Sequence, residues 1–208
     1  MKKKELIIKT LGVFFLFYGL FAIGFSIYRG KPDWIFWFCY ISMTLIGIGA
    51  LMKDGKLIAS QINLVAGYLI VWDIDFFYLL IIGKPLWGVT DYFFRELMPI
   101  ARLISIEHFF LLPISLYLLY EIKTEKGHLR LSLIQGTIIY ILTIVLTNPR
   151  YNVNCAFNSC VTFLPEKYYQ LTWYILSVTT IWITSIIINN IYIFNKKINK
   201  KGLKNYKK

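Results

Sequence analysis

Hydrophobic residues in this chain gather into long blocks, and charges fall almost entirely between them. Six blocks are long enough, at about 20 apolar residues per span, to cross a bilayer as helices. They cover roughly 6–28, 34–52, 57–83, 99–122, 131–147 and 169–194. Turn and charge signals separate them: RGKPD, KDGK, GKPLWGVTDYFFRE, KTEKGHLR and a long NPRYNVNCAFNSCVTFLPEK segment. The pattern predicts an all-α polytopic membrane protein, with residues 1–195 forming one six-helix transmembrane domain and 196–208 a basic, disordered tail. The first block is too long for the roughly 7–15 apolar residues of a signal-peptide core, and no small-x-small site follows it. It reads as a permanent span.

Composition agrees: 57% of the 208 residues are hydrophobic and 18% aromatic, with a formal net charge of +12. The basic excess does not point to nucleic acid, because its lysines cluster at the termini and no aromatic-basic patch lies outside the spans. Such clusters anchor helix ends against anionic headgroups. Most of the 23 basic residues lie in both termini and in the turns at Lys53–Lys56 and Lys123–Arg130. The expected orientation therefore places both termini in the cytoplasm of a multi-pass cell-membrane protein, with residues 148–168 outside. Two of the three cysteines, Cys155 and Cys160, lie in that outer loop, where a disulfide or two free thiols are both compatible with the sequence. No CxxC or Cys/His spacing of a zinc site occurs, and no metal or cofactor is expected. His128 falls in a charged turn and reads as solvated.

Four ionisable residues interrupt the spans: Asp73 and Asp75 in the third, Glu107 and His108 in the fourth. A charge at membrane depth costs about 2.5–3.5 kcal/mol on the most lenient scales, so such residues are functional candidates. Counting about 1.5 Å per residue from the outer ends puts Cys39 about 9 Å deep, Asp75 about 12 Å and His108 about 14 Å. Thr147 and Asn148 close the fifth span at the same level. The polar groups thus share the outer half, and the inner half shows no comparable set. Helical phase separates Asp73 from Asp75 by about 200° and Glu107 from His108 by about 100°, so only one aspartate can face a common centre. Pro113 permits a kink nearby.

A thiol at the depth of an imidazole suggests nucleophilic acyl chemistry. Cys39 would attack, His108 would take its proton, and Asp75 or Glu107 would hold the imidazolium. Asn148 or Asn154 would stabilise the oxyanion, and Asp73 would line the rim. Membrane lipids are the expected partners and an acyl lipid the expected substrate. The alternative is an ion-coupled transporter or proton/cation site using Asp75, Glu107 and His108, although no inverted repeat is visible. A noncatalytic scaffold is the third class.

Three stretches carry a resemblance: WIFWFCYISMTLIGIGALMKDGK, ISIEHFFLLPISLYLL and NVNCAFNSCVTFLPEKYYQLTWYI. Together they resemble the YwaF family of six-span bacterial membrane proteins, whose animal relatives act as cysteine-dependent lipid acyltransferases. The H-x-x-x-L-P pattern from His108, with Glu121 beyond it, is also similar to the androgen-induced membrane threonine hydrolases. The resemblance implies Cys39 as nucleophile and His108 as base; the threonine variant would use Thr44, the only threonine of that span. The chain departs from the pattern at Cys155, where a tyrosine is expected, and at Trp37 and Phe38, where the usual Pro-Leu-His is absent.

Overall fold

A computed structural model describes residues 3–95, 98–161, 164, 167–191 and 194, and all regular elements among them are helical. The helices are α1 (Lys3–Tyr28), α2 (Phe38–Met52), α3 (Gly55–Ile82), α4 (Asp91–Arg95), α5 (Pro99–Ser105), α6 (Glu107–Ile122), α7 (His128–Leu146) and α8 (Tyr169–Asn190). Five helical stretches are long and apolar enough to cross a membrane: α1, α3, α5 with α6, α7 and α8. The expected tail, 196–208, lies outside the described residues.

The block at 34–52 differs from expectation. It begins as a 3-10 turn at Pro32–Phe36 and becomes α-helical only at Phe38, giving a helix of 15 residues. Pro32 suits the first turn of such a segment, and Trp37 is extended (φ −58°, ψ 126°), which ends the turn before α2 starts. Cys39 therefore lies in the first turn of a helix rather than part-way along one.

Packing between α1 and α2 depends on missing side chains. The buried face of α1 reads Ile8, Gly12, Phe15, Gly19, Ala22 and Ser26, a spacing of three and four that keeps one stripe inward. Gly12 and Gly19 meet Gly47, Ala50 and Thr44 of α2. A Cβ on Gly47 would stand 2.5 Å from the Leu16 nitrogen and 2.7 Å from the Gly12 carbonyl oxygen. This is backbone approach of the kind that small residues permit between membrane helices. Helix α3 is central, packing on α2, α6, α7 and α8. Its own buried residues run almost without interruption from Gly55 to Leu69 and continue at Trp72 and Asp75.

The fourth span is broken, but not at Pro113. Helix α5 ends at Ser105, and α6 restarts at Glu107 and runs through the proline. The break frees carbonyls immediately before His108, which matters below.

Two expectations about polar residues are corrected. His128 is 2% exposed, not solvated, because α7 starts at this residue instead of at 131. Its Nδ1 accepts from Asn63 Nδ2 at 3.0 Å, and its Nε2 faces Asn189 Oδ1 at 3.1 Å, a pairing that places the ring proton on Nε2. The end of the bundle opposite Cys39 is also not bare. Asn63 bonds Ser132, and Gln61 bridges Ser42, Ser60 and Gln135. This network joins α2, α3, α7 and α8 through uncharged groups, which a search for ionisable residues overlooks.

The α1–α2 contact yields a direct test. Gly47→Leu should force the two backbones apart and lower the thermal unfolding temperature of the detergent-solubilised protein, with a loss of about 1–3 kcal/mol for overpacking. Gly24→Ala, where an added Cβ meets nothing within 4 Å, should leave it unchanged.

Candidate functional site

The first turn of α2 and the restart of α6 bring three of the expected residues together. Cys39 Sγ, a Glu107 carboxylate oxygen and a His108 ring nitrogen all lie within 4.8 Å of one another. Glu107 is fully buried, whereas the His108 side chain keeps 15% of its surface exposed. Leu103 and Ile106, on the same stretch of chain, are apolar and exposed.

Each side chain is held for a structural reason. His108 Nδ1 lies 2.8 Å from the Ser105 carbonyl oxygen freed by the α5–α6 break. A carbonyl only accepts, so the ring carries its proton on Nδ1 and keeps the lone pair on Nε2. Trp72 of α3 stacks on the ring at 4.4 Å, and its indole N–H donates to the Tyr92 hydroxyl at 3.0 Å. Such a face-on aromatic favours a ring that becomes cationic. Glu107 Oε1 stands 3.8 Å from His108 Nδ1, but neither carboxylate oxygen has a hydrogen-bond partner among the described residues.

The other expected residues lie elsewhere. Asp75 is buried and committed: its carboxylate accepts from the backbone N–H groups of Leu86, Trp87, Gly88 and Thr90 and from the Thr90 hydroxyl, at 2.7–3.3 Å. It organises the loop that follows α3, and these five donors replace the catalytic role expected of it. Helical phase allows only one inward aspartate, and its partner, 11 to 15 residues downstream, is invisible to it. Asp73 is half-buried, with its Oδ1 shielded and unpartnered among the described residues.

Asn154 does not reach the cluster as an oxyanion donor. Its Oδ1 accepts from Phe38 N at 3.0 Å and its Nδ2 donates to Phe36 O at 2.7 Å, while Trp173 Nε1 donates to its carbonyl. It pins the start of α2, one residue from Cys39, and so positions the thiol. Its left-handed φ of 54° is one that asparagine tolerates well. Asn148 caps the next short turn through Arg150 N, and its own N–H donates to Asp33 Oδ2 at 2.6 Å. Cys155 and Cys160 form a disulfide in the same loop.

The first turn of a helix supplies donors that residue types alone do not reveal. The opening N–H groups of any helix have no carbonyl partner within it. In α2 the Phe38 N–H goes to Asn154 and the Trp37 N–H to Trp34 O. Those of Cys39 and Tyr40 are directed at the Cys39 sulfur. Trp72 and the α5–α6 break are likewise absent from the expected set.

A narrow cleft of about 20 Å³ lies between α3, α7 and α8, lined by Tyr68, Thr137, Tyr140, Trp173 and Ser177 among others. It has room for about one water and does not include Cys39, Glu107 or His108. Compared with family models, with curated proteins and with solved structures, the chain finds no match.

Asp75→Asn should turn one of the two oxygens facing these N–H donors into an NH2 group. The unfolding temperature should fall, consistent with about 1.5–3 kcal/mol for a hydrogen bond to a charged group, and proteolysis at residues 84–90 should quicken. Unchanged stability and cleavage would remove Asp75 from the anchoring role.

Proposed function

We propose that the chain is a multi-pass cell-membrane enzyme that transfers or hydrolyses the acyl group of a lipid, with Cys39 as nucleophile and His108 as base. The observation that carries this reading is the meeting of thiol, imidazole and carboxylate within 4.8 Å, from two helices. It accords with the YwaF-like stretches. The reading takes α2 with its preceding turn as a sixth crossing, both termini in the cytoplasm and the disulfide loop outside, as the distribution of lysine and arginine favours.

The proposed steps use the tautomer that the Ser105 carbonyl favours. His108 Nε2 takes the Cys39 proton while the Ser105 carbonyl holds Nδ1–H, and Trp72 and Glu107 stabilise the imidazolium. The thiolate attacks the ester carbonyl carbon, and the oxyanion that forms is met by the N–H groups of Cys39 and Tyr40. Collapse breaks the ester C–O bond; the alcohol leaves with the proton from His108. Water, or a second hydroxyl, then attacks the thioester with His108 again as base, giving hydrolysis or transfer and restoring the thiol.

Thr44 fits the nucleophile role less well, because its hydroxyl donates to Tyr40 O one turn back and packs against Gly19. The transport reading loses one of its three groups, since the Asp75 oxygens are occupied.

Purified protein treated with an acyl-bearing, thiol-reactive lipid probe should be labelled once per chain. Cys39→Ala should abolish labelling, His108→Gln should slow it by about 10²–10⁴-fold, the usual scale of general-base catalysis, and Thr44→Val should leave it intact. Equal labelling of wild type and Cys39→Ala would falsify the assignment. Orientation has its own check: after mild reduction of intact cells, an impermeant maleimide should modify Cys155 and Cys160, and protection of both would reverse the topology.

A further inference from the structure

The acyl mechanism uses two of the three converging side chains fully and leaves the third in an unexplained state. Glu107 is 0% exposed, yet both of its carboxylate oxygens lack a hydrogen-bond partner among the described residues. A buried carboxylate without donors is among the most unfavourable arrangements a fold can hold. Its neighbours offer little: the Cys39 thiol that faces it is a weak donor, and the His108 Nδ1–H is directed to Ser105 O. Among the described residues, no lysine or arginine forms an ion pair with it.

We infer that Cys39, Glu107 and His108 bind one divalent ion of the zinc class, and that this ion keeps the site in a resting form. The donors would be the Cys39 thiolate, one Glu107 oxygen and a ring nitrogen of His108. Sulfur, nitrogen and oxygen in one set suit a borderline-soft ion, whereas calcium and magnesium take mostly oxygen ligands in larger number. Charge agrees as well: a thiolate and a carboxylate neutralise a divalent ion, so the loaded site is formally uncharged at a depth where net charge is costly. The Ser105 carbonyl, 2.8 Å from Nδ1, orients the imidazole, as carbonyl partners ordinarily do for ligating histidines. The three donors need to draw closer than 4.8 Å, to about 3.3–3.7 Å, for tetrahedral bonds of about 2.0–2.3 Å. Three protein ligands leave a fourth position for water or an incoming oxygen.

Binding displaces the thiol proton, which passes to solvent, and changes no oxidation state. It occupies both the sulfur and the lone pair that acyl transfer needs. This regulatory consequence rests on the acyl reading above; the metal site itself does not. The order of the sequence hides such a site because its ligands lie at 39, 107 and 108, far from any zinc-binding spacing.

Full-length protein in detergent, stripped with a chelator, should bind one cobalt(II) per chain with a sulfur-to-cobalt charge-transfer band in the near ultraviolet. Zinc should displace it and a large excess of magnesium should not. Glu107→Gln and Cys39→Ala should each weaken binding at least tenfold, and Cys39→Ala should lose the band. Absence of a saturable one-to-one complex, or a complex without the thiolate band in folded wild type, overturns the metal site whatever the variants do. Lipid-probe labelling of the same samples separates the two ideas. Labelling of stripped protein that cobalt suppresses supports the regulation. Labelling that saturating cobalt leaves unchanged overturns it, while cobalt binding without any labelling of stripped protein removes the acyl reading and keeps the metal site.

Discussion

Inside an apolar bundle, water is not available to satisfy polar groups, so each one must find its partner in the protein. Much of this structure follows from that constraint. Asp75 gathers a loop around its carboxylate, Asn154 ties a surface segment to the start of α2, and His128 clasps Asn63 and Asn189 from neighbouring helices. Each of these residues marks a join between elements. Glu107 is the conspicuous departure, and it stands beside the free thiol and the stacked imidazole. A polar residue with all its bonds made explains architecture; one with none made, fully buried, points to something the protein does.

The positioning of the site is equally economical in elements. The late start of α2 sets Cys39 where helix N–H groups are open, and Asn154 fixes that start. The restart of α6 sets Glu107 and His108, and the carbonyl freed at Ser105 chooses the histidine tautomer. Close packing of α1 on α2 through Gly12, Gly19 and Gly47 then holds the cysteine-bearing helix in place. Two helix beginnings, rather than two helix middles, build the cluster.

How far this is legible in the sequence varies with the physics involved. Long apolar blocks announce themselves, so α1, α3, α7 and α8 coincide with the expected spans within a few residues. Depth is a count along one helix, so the level shared by Cys39 and His108 can be read from residue order alone. Rotation about a helix is nearly as local, and it separates Asp75 from Asp73. Partnership is not local. Nothing near Asp75 signals that its charge will be met by the backbone of residues 86–90, and nothing near His128 signals Asn189. The uncharged network around Gln61 and Asn63 escapes notice because asparagine, glutamine and serine are tolerated within spans and raise no alarm singly. Pro113 is the visible kink-former of its span, yet the interruption comes at Ser105, before Glu107, where no residue type announces it.

The length of α2 has a consequence for the surrounding lipid. Fifteen residues rise only about 22 Å, some 8 Å less than a typical hydrocarbon core of about 30 Å. A hydrophobic stretch that is too short is accommodated by a thinner bilayer around it. Taken as a crossing, α2 therefore draws the outer headgroup level down on its own flank, toward Cys39. In the proposed reading, amphiphiles there carry their ester linkages deeper into the bundle than those elsewhere on its perimeter, and the mismatch itself selects where on the protein a lipid is presented.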